Sequence, residues 1–199
     1  LGLPHGVIVA AGGGDNMMAA IGTGNVAPGV LTMSLGTSGT LFACADFPVV
    51  DDNAGWAAFC SSTGGWLPLI CTMNCTVATE NVAKLFGFSS RDGETVLEGT
   101  KPGADGLVML PFFNGERTPN LPDARASLHG IDMANFTRGN VYRAAMEGAT
   151  YALRNGFDAL RAAGMAFDSI RLTGGGRHSA AWRQLDADLV GLPVLVPQL

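Results

Sequence analysis

Three times along this chain a short apolar run ends in a glycine turn. Residues 6–10 lead into Gly12-Gly13-Gly14-Asp15-Asn16, residues 31–35 lead into Gly36-Thr37-Ser38-Gly39, and residues 169–173 lead into Gly174-Gly175-Gly176. Short apolar runs bounded by glycine are typical of buried strands, and glycine lets the backbone approach a ligand closely. The pattern predicts a sheet with ligand-binding turns at the ends of its strands.

The apolar periodicity between these turns separates strands from helices. A helix begins at about Thr137, a suitable N-cap, and ends before Gly164, and another starts near Ser179 and ends before Gly191. The fold class predicted is α/β, one domain whose mixed sheet is flanked by helices. We expect further helices over 16–24 and 76–86, and strands over 6–10, 31–35, 40–44, 56–60, 66–72, 107–113 and 169–173.

Composition restricts the function classes. The 199 residues are 47% hydrophobic and 15% charged with a net charge of −5, which supports a large core and argues against a nucleic-acid footprint. No apolar run reaches the roughly 18 residues of a membrane span. Because the chain lacks an initiating Met and both its ends are strand-like, we expect a piece of a longer polypeptide. The four cysteines form no C-x-x-C pair, which favours free thiols in a reducing compartment over a zinc site.

Asp15 is the first candidate for chemistry. A carboxylate on a glycine turn at a strand end can point into a crevice and accept a hydroxyl proton while that hydroxyl attacks a phosphoryl group. Asn16 can hydrogen-bond a neighbouring hydroxyl of the same substrate. The alternative is that Asp15 caps the helix that follows it, and the local sequence does not choose between the two.

The other two turns are candidate anion sites. In residues 36–39, two glycines and two hydroxyl residues offer donors to anionic oxygens, although an ordinary hairpin turn uses the same residue types. Residues 174–176 with Ser179 combine a strand, a glycine turn and a helix N-terminus, which suits an anion or a nucleotide. They match neither common nucleotide-binding glycine motif, and a tight turn that needs glycine only for packing is the alternative.

Two further features remain open. Glu116 and Arg117 form either a surface ion pair or a brace for a loop beside the cleft. The three histidines, at positions 5, 129 and 178, are scattered, which favours structural or surface roles over catalysis.

The order of these motifs is specific although each alone is weak. Residues 11–16, 34–39, 110–119 (Leu-Pro-Phe-Phe-Asn-Gly-Glu-Arg-Thr-Pro), 147–153 and 172–176 with 182–184 resemble the C-terminal half of the FGGY carbohydrate kinases. The resemblance covers nearly the whole chain and is strongest to the branch that phosphorylates D-xylulose. Gluconate and ribulose kinases of the family carry close variants of the same motifs.

The resemblance implies an actin-like ATPase fold with a ribonuclease-H-like core, ATP and Mg²⁺ as cofactors, and a pentulose as substrate. It implies that Asp15 is the catalytic base and that Asp15 and Asn16 contact the sugar. It implies further that Gly36 and Thr37 hold the ATP phosphates and that Gly175, Gly176 and Ser179 line the adenosine site. Relatives often carry Asn at position 179, so a direct bond from Ser179 to the nucleotide is open.

The same resemblance sets expectations for the whole protein. Residues 1–199 would be most of the C-terminal nucleotide-binding domain, with the N-terminal sugar-binding domain and the extreme C-terminus absent from the chain. A cytoplasmic enzyme follows, with a homodimer as one allowed assembly and neither nucleic acid nor membrane as a partner. The alternatives are another sugar or polyol kinase of the family and, from a different class, an actin-like ATPase that is not a kinase.

Overall fold

A computed structural model describes residues 2–52 and 55–198. It is a mixed α/β structure in which eight strands form two sheets within those residues. The strands are β1 (Gly29–Leu35), β2 (Gly39–Ala43), β3 (Ala57–Cys60), β4 (Trp66–Thr72), β5 (Val108–Leu110), β6 (Ser127–His129), β7 (Phe167–Thr173) and β8 (Val194–Leu195).

The long helix ends where its capping residues predict. The Thr137 side chain accepts a hydrogen bond from the Asn140 N–H at its start, and Gly164 follows its C-cap with φ of +93°. The helices are α1 (Asp15–Gly22), α2 (Thr76–Leu85), α3 (Gly93–Leu97), α4 (Arg138–Ala162) and α5 (Ala180–Val190), with 3₁₀ turns at Ser90–Asp92, Ala104–Gly106 and Gly175–His178.

The large sheet is mixed, as the sequence predicts. Its strand order is β3-β4-β2-β1-β7-β8. Strands β1 and β2 form the expected antiparallel hairpin, closed by the Leu35–Gly39 pair, whereas β7 runs parallel to β1. The turn after β1 and the turn after β7 therefore lie at the same end of the sheet, because parallel neighbours finish at one edge.

Alternate side chains divide the core between the two faces of the sheet. Leu31, Met33 and Leu35 of β1 point into a large cluster with α2, α4 and α5, and all three are 0% exposed. Phe42 of β2 points to the opposite face, where it packs with Ala20 of α1. Each fully buried side chain of this size contributes about 1.5–3 kcal/mol, so the larger cluster dominates stability.

The opening apolar run differs from its prediction. Residues 6–10 form no strand, and Ile8 and Val9 are 91% and 87% exposed. An apolar run becomes a buried strand only when a neighbouring strand pairs with it. Within the described residues the edge strands of the large sheet are β3 and β8, and this run pairs with neither.

The segment around β5 also differs from its prediction. A buried strand over 107–113 was expected, but only Val108–Leu110 is a strand, and only its central residue, Met109, is buried. Pro111 has no N–H to continue the ladder. The partner of β5 is β6, and both β6 and α3 lie in parts of the chain for which the sequence predicted no element.

Candidate functional site

A cavity of about 370 Å³ opens on the helix-covered face that carries α2, α4 and α5. Gly175, Gly176 and Ser179, three of the predicted nucleotide-binding residues, line it together. The lining also includes side chains from three other elements, namely Thr76 and Thr79 of α2, Glu94 of α3 and Tyr142 of α4. The site is therefore built by elements that are far apart in sequence.

The glycines of residues 174–176 have different reasons to be glycine. A Cβ on Gly174, whose φ is +79°, would lie 2.5 Å from the carbonyl carbon of Leu35, and one on Gly176 would lie 2.7 Å from the Leu35 Cβ. Packing alone explains these two residues. A Cβ on Gly175 would meet no atom within 4 Å, so this exposed glycine faces open space at the cavity. The turn thus packs on the end of β1 and presents backbone to a ligand.

The turn at Gly36 and Thr37 is attached to the start of α2. The Thr76 N–H donates to the Gly36 carbonyl and the Cys75 N–H donates to the Thr37 carbonyl, each at 2.9 Å. Both peptide bonds that follow these carbonyls are trans, so the N–H groups of Thr37 and Ser38 point away from α2. These two donors are the ones free to meet an anion. The sequence analysis named residues 36–39 as donors and assigned the ATP phosphates to Gly36 and Thr37, but a pattern of residue types does not show which peptide N–H groups point outward.

The Ser179 hydroxyl is already engaged within the protein. Its oxygen caps α5 by accepting the Trp182 N–H at 3.0 Å, and its hydrogen is donated to the Glu94 Oε1. The same Glu94 oxygen lies 3.4 Å from the Ala181 nitrogen in the first turn of α5. Glu94 therefore connects α3 to the N-terminus of α5 across the cavity.

Tyr142 and Thr79 form the inner wall of the cavity. The Thr79 hydroxyl donates to the Thr76 carbonyl at 2.9 Å. Burial raises the pKa of Tyr142, and its hydrogen bond with Thr79 opposes that shift in part. A Cβ on Gly93 would lie 2.6 Å from the Tyr142 hydroxyl, so α3 approaches α4 this closely only because position 93 is glycine.

Asp15 and Asn16 do not line this cavity. The N-cap of α1 is Gly14, so Asp15 is not the N-cap that the alternative expected. Asp15 is the exposed first residue of the helix, and its carboxylate accepts the Asn16 N–H at 2.8 Å. A Cβ on Gly13 would lie 2.7 Å from the Ser62 Oγ.

The location of Ser62 shows where α1 begins. It lies in the turn between β3 and β4, and Trp66 at the start of β4 bridges to Ala45 beyond the end of β2. That is the end of the sheet where β1 starts, whereas the Gly36 turn follows the end of β1. The described residues thus bring together the predicted nucleotide-binding positions but not Asp15 and Asn16.

Comparison with known proteins agrees with this architecture. Residues 31–199 match the C-terminal domain of the FGGY family of carbohydrate kinases. The chain belongs to that family. It is 48% identical over 197 residues to a xylulose kinase of Haemophilus influenzae, covering 99% of this chain and 40% of the relative. It is 42% identical over 200 residues to a xylulose kinase of Streptomyces coelicolor, with 99% and 40% covered.

Solved structures give the same result for the fold. The chain superposes on the crystal structure of xylulose kinase from Bifidobacterium adolescentis with a TM-score of 0.86 and 38% identity, covering 96% of this chain and 37% of that one. The predicted actin-like ATPase fold of FGGY kinases is thereby confirmed. The chain spans about 40% of the length of the relatives that it matches.

In this FGGY chain the open question about Glu116 is settled by its contacts. Glu116 is 2% exposed and accepts hydrogen bonds from the Met73 N–H, from the Asn74 Nδ2 at 3.1 Å and from the Arg117 N–H at 2.7 Å. It is a buried brace and not a surface ion pair. Cys75 and Thr76, which follow Asn74, donate hydrogen bonds to the Gly36 turn, so Glu116 supports that turn indirectly.

The side chain of Arg117 has a different role from its neighbour. It is exposed, and its Nη1 lies 3.4 Å from the Cys71 Sγ. Burial raises the pKa of the Cys71 thiol, and the Arg117 charge opposes that rise.

Asp186 on α5 is a buried carboxyl group that the sequence prediction missed. It is 0% exposed, and among the described residues neither of its oxygens has a hydrogen-bond partner. Burial raises its pKa to about 8. No local pattern marks it, because its spacing from Trp182 and Leu185 shows only that it lies near the buried side of α5.

The described residues contain no group of three or more His, Cys, Asp or Glu side chains that could hold a metal ion. Nor does any described helix have the length and apolar character to cross a membrane. Of the histidines, His5 and His129 are exposed, as expected of surface residues, and His178 lines the cavity from an exposed position.

Proposed function

We propose that the protein carrying this chain phosphorylates D-xylulose to D-xylulose 5-phosphate at the expense of ATP. The observation that carries the proposal is the 48% identity to a xylulose kinase over 197 residues, which leaves almost no part of the chain unmatched. The cavity that gathers Gly175, Gly176 and Ser179 supports it, because a nucleotide needs a preformed concave site of this kind.

The nucleotide would lie with its nucleoside in the cavity and its phosphates at the strand ends. Gly175 and Gly176 would line the nucleoside, and the turn at Gly36 and Thr37 would bind phosphate oxygens through the two N–H groups that point away from α2. Backbone donors held rigidly in this way stabilise developing negative charge without reorganising. Phosphoryl transfer has a loose transition state, so such positioning supplies most of the catalysis.

Asp15 would accept the proton of the attacking sugar hydroxyl, and Asn16 would bond a neighbouring hydroxyl. Support for these roles is the family motif at residues 11–16 together with the exposure of Asp15, whose carboxylate bonds only to Asn16 in the described structure. Because α1 begins at the other end of the sheet from the Gly36 turn, these roles would require the rest of the full-length protein to bring the sugar and the γ-phosphate together at Asp15.

Magnesium would accompany the nucleotide. Mg²⁺ in kinases commonly takes one or two carboxylates and fills its remaining positions with phosphate oxygens and water. Since the described residues gather no three-ligand group, this chain fits a Mg²⁺ ion that is bound mainly through the ATP phosphates. The ion would neutralise phosphate charge during transfer.

We also propose that residues 1–199 are most of the C-terminal nucleotide-binding domain of the protein. The match of residues 31–199 to the C-terminal domain model supports this division. The N-terminal sugar-binding domain and the extreme C-terminus would then complete the cleft. The cytoplasmic location and the homodimer remain predictions from the resemblance.

A substrate panel tests the proposed function. ADP release by the full-length protein should require sugar, and D-xylulose should give a higher kcat/KM than D-ribulose or D-gluconate. A higher value with either of the other sugars would move the protein to another branch of the family. Slow ATP hydrolysis that ignores every sugar would instead support the non-kinase ATPase.

A further inference from the structure

Different walls of the nucleotide cavity carry different groups. Gly176, packed on Leu35 at the end of β1, and Thr76, bonded to the Gly36 carbonyl, adjoin the phosphate-binding turn. Glu94 of α3 lines the same cavity and meets Ser179, whose N–H donates to the Gly176 carbonyl at 3.0 Å. A nucleoside in this cavity with its phosphates at that turn would have its base among the walls that include Glu94.

Three hydroxyl groups in the cavity wall, those of Ser179, Thr79 and Tyr142, already have partners within the protein. Ser179 donates to Glu94, and Thr79 donates to the Thr76 carbonyl. Tyr142 shares its hydrogen bond with Thr79. The hydrogens of these three hydroxyls are therefore directed into the protein, and the other donor side chains of the lining include Thr76, Ser90, Arg91 and His178.

Glu94 contributes an acceptor where those hydroxyls cannot donate. Its Oε1 is held by the Ser179 hydroxyl and lies near the Ala181 N–H, where the N-terminal end of the α5 dipole favours negative charge. A carboxylate accepts hydrogen bonds at both oxygens, so Oε2 remains available to a ligand. The side chain is thereby oriented before any ligand binds.

We propose that Glu94 reads the nucleotide base by accepting a hydrogen bond from its exocyclic amino group. It would thereby set a preference for 6-aminopurine nucleotides over 6-oxopurine nucleotides. A 6-amino group donates a hydrogen bond to the carboxylate, whereas a 6-oxo group is itself an acceptor and repels it. This inference rests on the proposed use of the cavity by a nucleotide.

The test is a comparison of nucleotide binding by the wild type and Glu94→Gln, which keeps the shape and adds a donor. Calorimetry on the full-length protein without sugar should show ATP binding at least about tenfold tighter than ITP, as a hydrogen bond to a charged group allows. In Glu94→Gln the ratio should fall to near one through a loss of ATP affinity. Purine riboside triphosphate, which has no 6-substituent, should bind both proteins equally.

Control variants separate recognition of the base by Glu94 from its structural role in connecting α3 to α5. Ser179→Ala removes the hydroxyl that orients Glu94 but keeps the carboxylate, so ATP should still bind more tightly than ITP, with a smaller ATP-to-ITP affinity ratio than in the wild type. Glu98→Gln removes a nearby exposed carboxylate outside the cavity and should change nothing. An equal loss of ATP and ITP affinity in Glu94→Gln would overturn the proposal and leave Glu94 as a clamp only.

The ribose is the other source of donors in a nucleoside. If the loss caused by Glu94→Gln disappears with 2′-deoxy-ATP, the carboxylate contacts the ribose and the proposal is wrong. A wild type that discriminates ATP from ITP through Glu94 but phosphorylates no sugar would sustain this inference while the proposed function fails.

Discussion

Asp186 is a fully buried carboxyl group whose oxygens have no hydrogen-bond partner among the described residues, so its ionisation should affect the stability of the protein. Its pKa is raised from 3.8 to about 8 by burial, so between these values the folded protein holds a proton that the unfolded chain has released. Stability therefore falls as pH rises through this window, by up to about 1.4 kcal/mol per pH unit.

For Asp186→Asn we expect this pH dependence to disappear. Urea unfolding should show that, from pH 5 to pH 8, the free energy of unfolding of the wild type falls by as much as about 4 kcal/mol more than that of the variant. The comparison is between slopes, because the amide is as unpartnered as the acid. Asp188→Asn, which alters an exposed carboxylate two residues away, should retain the wild-type slope. Identical slopes for the wild type and Asp186→Asn would show that Asp186 ionises normally.

Asp15 carries the catalytic prediction at the residue scale. We expect Asp15→Asn to lower kcat by about 100-fold or more, since general base catalysis contributes about 10²–10⁴-fold. ATP affinity should change little, because Asp15 does not line the cavity that we propose for the nucleotide. Steady-state kinetics and calorimetry check the two halves separately. Activity within a few-fold of wild type would remove Asp15 from the role of base.

Helix α4 shows how an element was predicted well while its packing was not. Its start, its end and its apolar period follow from Thr137, Gly164 and the 3.6-residue spacing. The reason for its internal glycines is tertiary. A Cβ on Gly148 would lie 2.2 Å from the Met109 carbonyl oxygen of β5, and one on Gly156 would lie 2.9 Å from two carbons of Ile70 in β4.

We expect Gly148→Ala to destabilise the protein although alanine is the better helix former. Helix propensity favours alanine by about 1 kcal/mol, but overpacking against backbone costs about 1–3 kcal/mol or more. Gly22→Ala is the matched control, because that helical glycine has nothing within 4 Å of its added Cβ. Thermal unfolding should show a lower Tm for Gly148→Ala and an unchanged or higher one for Gly22→Ala. A rise for both would mean that β5 can move away.

The sequence predicts the hairpin and the turns, but which of their backbone groups can bind a ligand depends on the elements that pack against them. The β1–β2 turn was expected to offer donors, but which donors depends on α2, whose first N–H groups take the carbonyls of Gly36 and Thr37. The capping box of Ser89 and Asp92 was a readable signal for the start of the segment that carries Glu94.

At the scale of the whole molecule, the chain holds a nucleotide-sized cavity but does not bring Asp15 to it. Holding two reactants in place can contribute about 7–11 kcal/mol, and that contribution requires both binding sites at once. We therefore expect a polypeptide of residues 1–199 to release no ADP in response to D-xylulose. The full-length protein in the same coupled assay is the control. Sugar-dependent turnover by the short polypeptide would show that the catalytic site is complete within it.

The amino-acid sequence by itself determined the α/β class, most of the elements and the family, because apolar period, capping residues and glycine turns act over a few neighbouring residues. The tertiary structure alone decided which polar groups meet. Ser179 finds Glu94 from 85 positions away, and Glu116 finds Asn74 from 42. It also decided that residues 6–10 are exposed and that Asp186 is enclosed. Such contacts depend on how finished elements pack, and no local pattern of residue types contains that information.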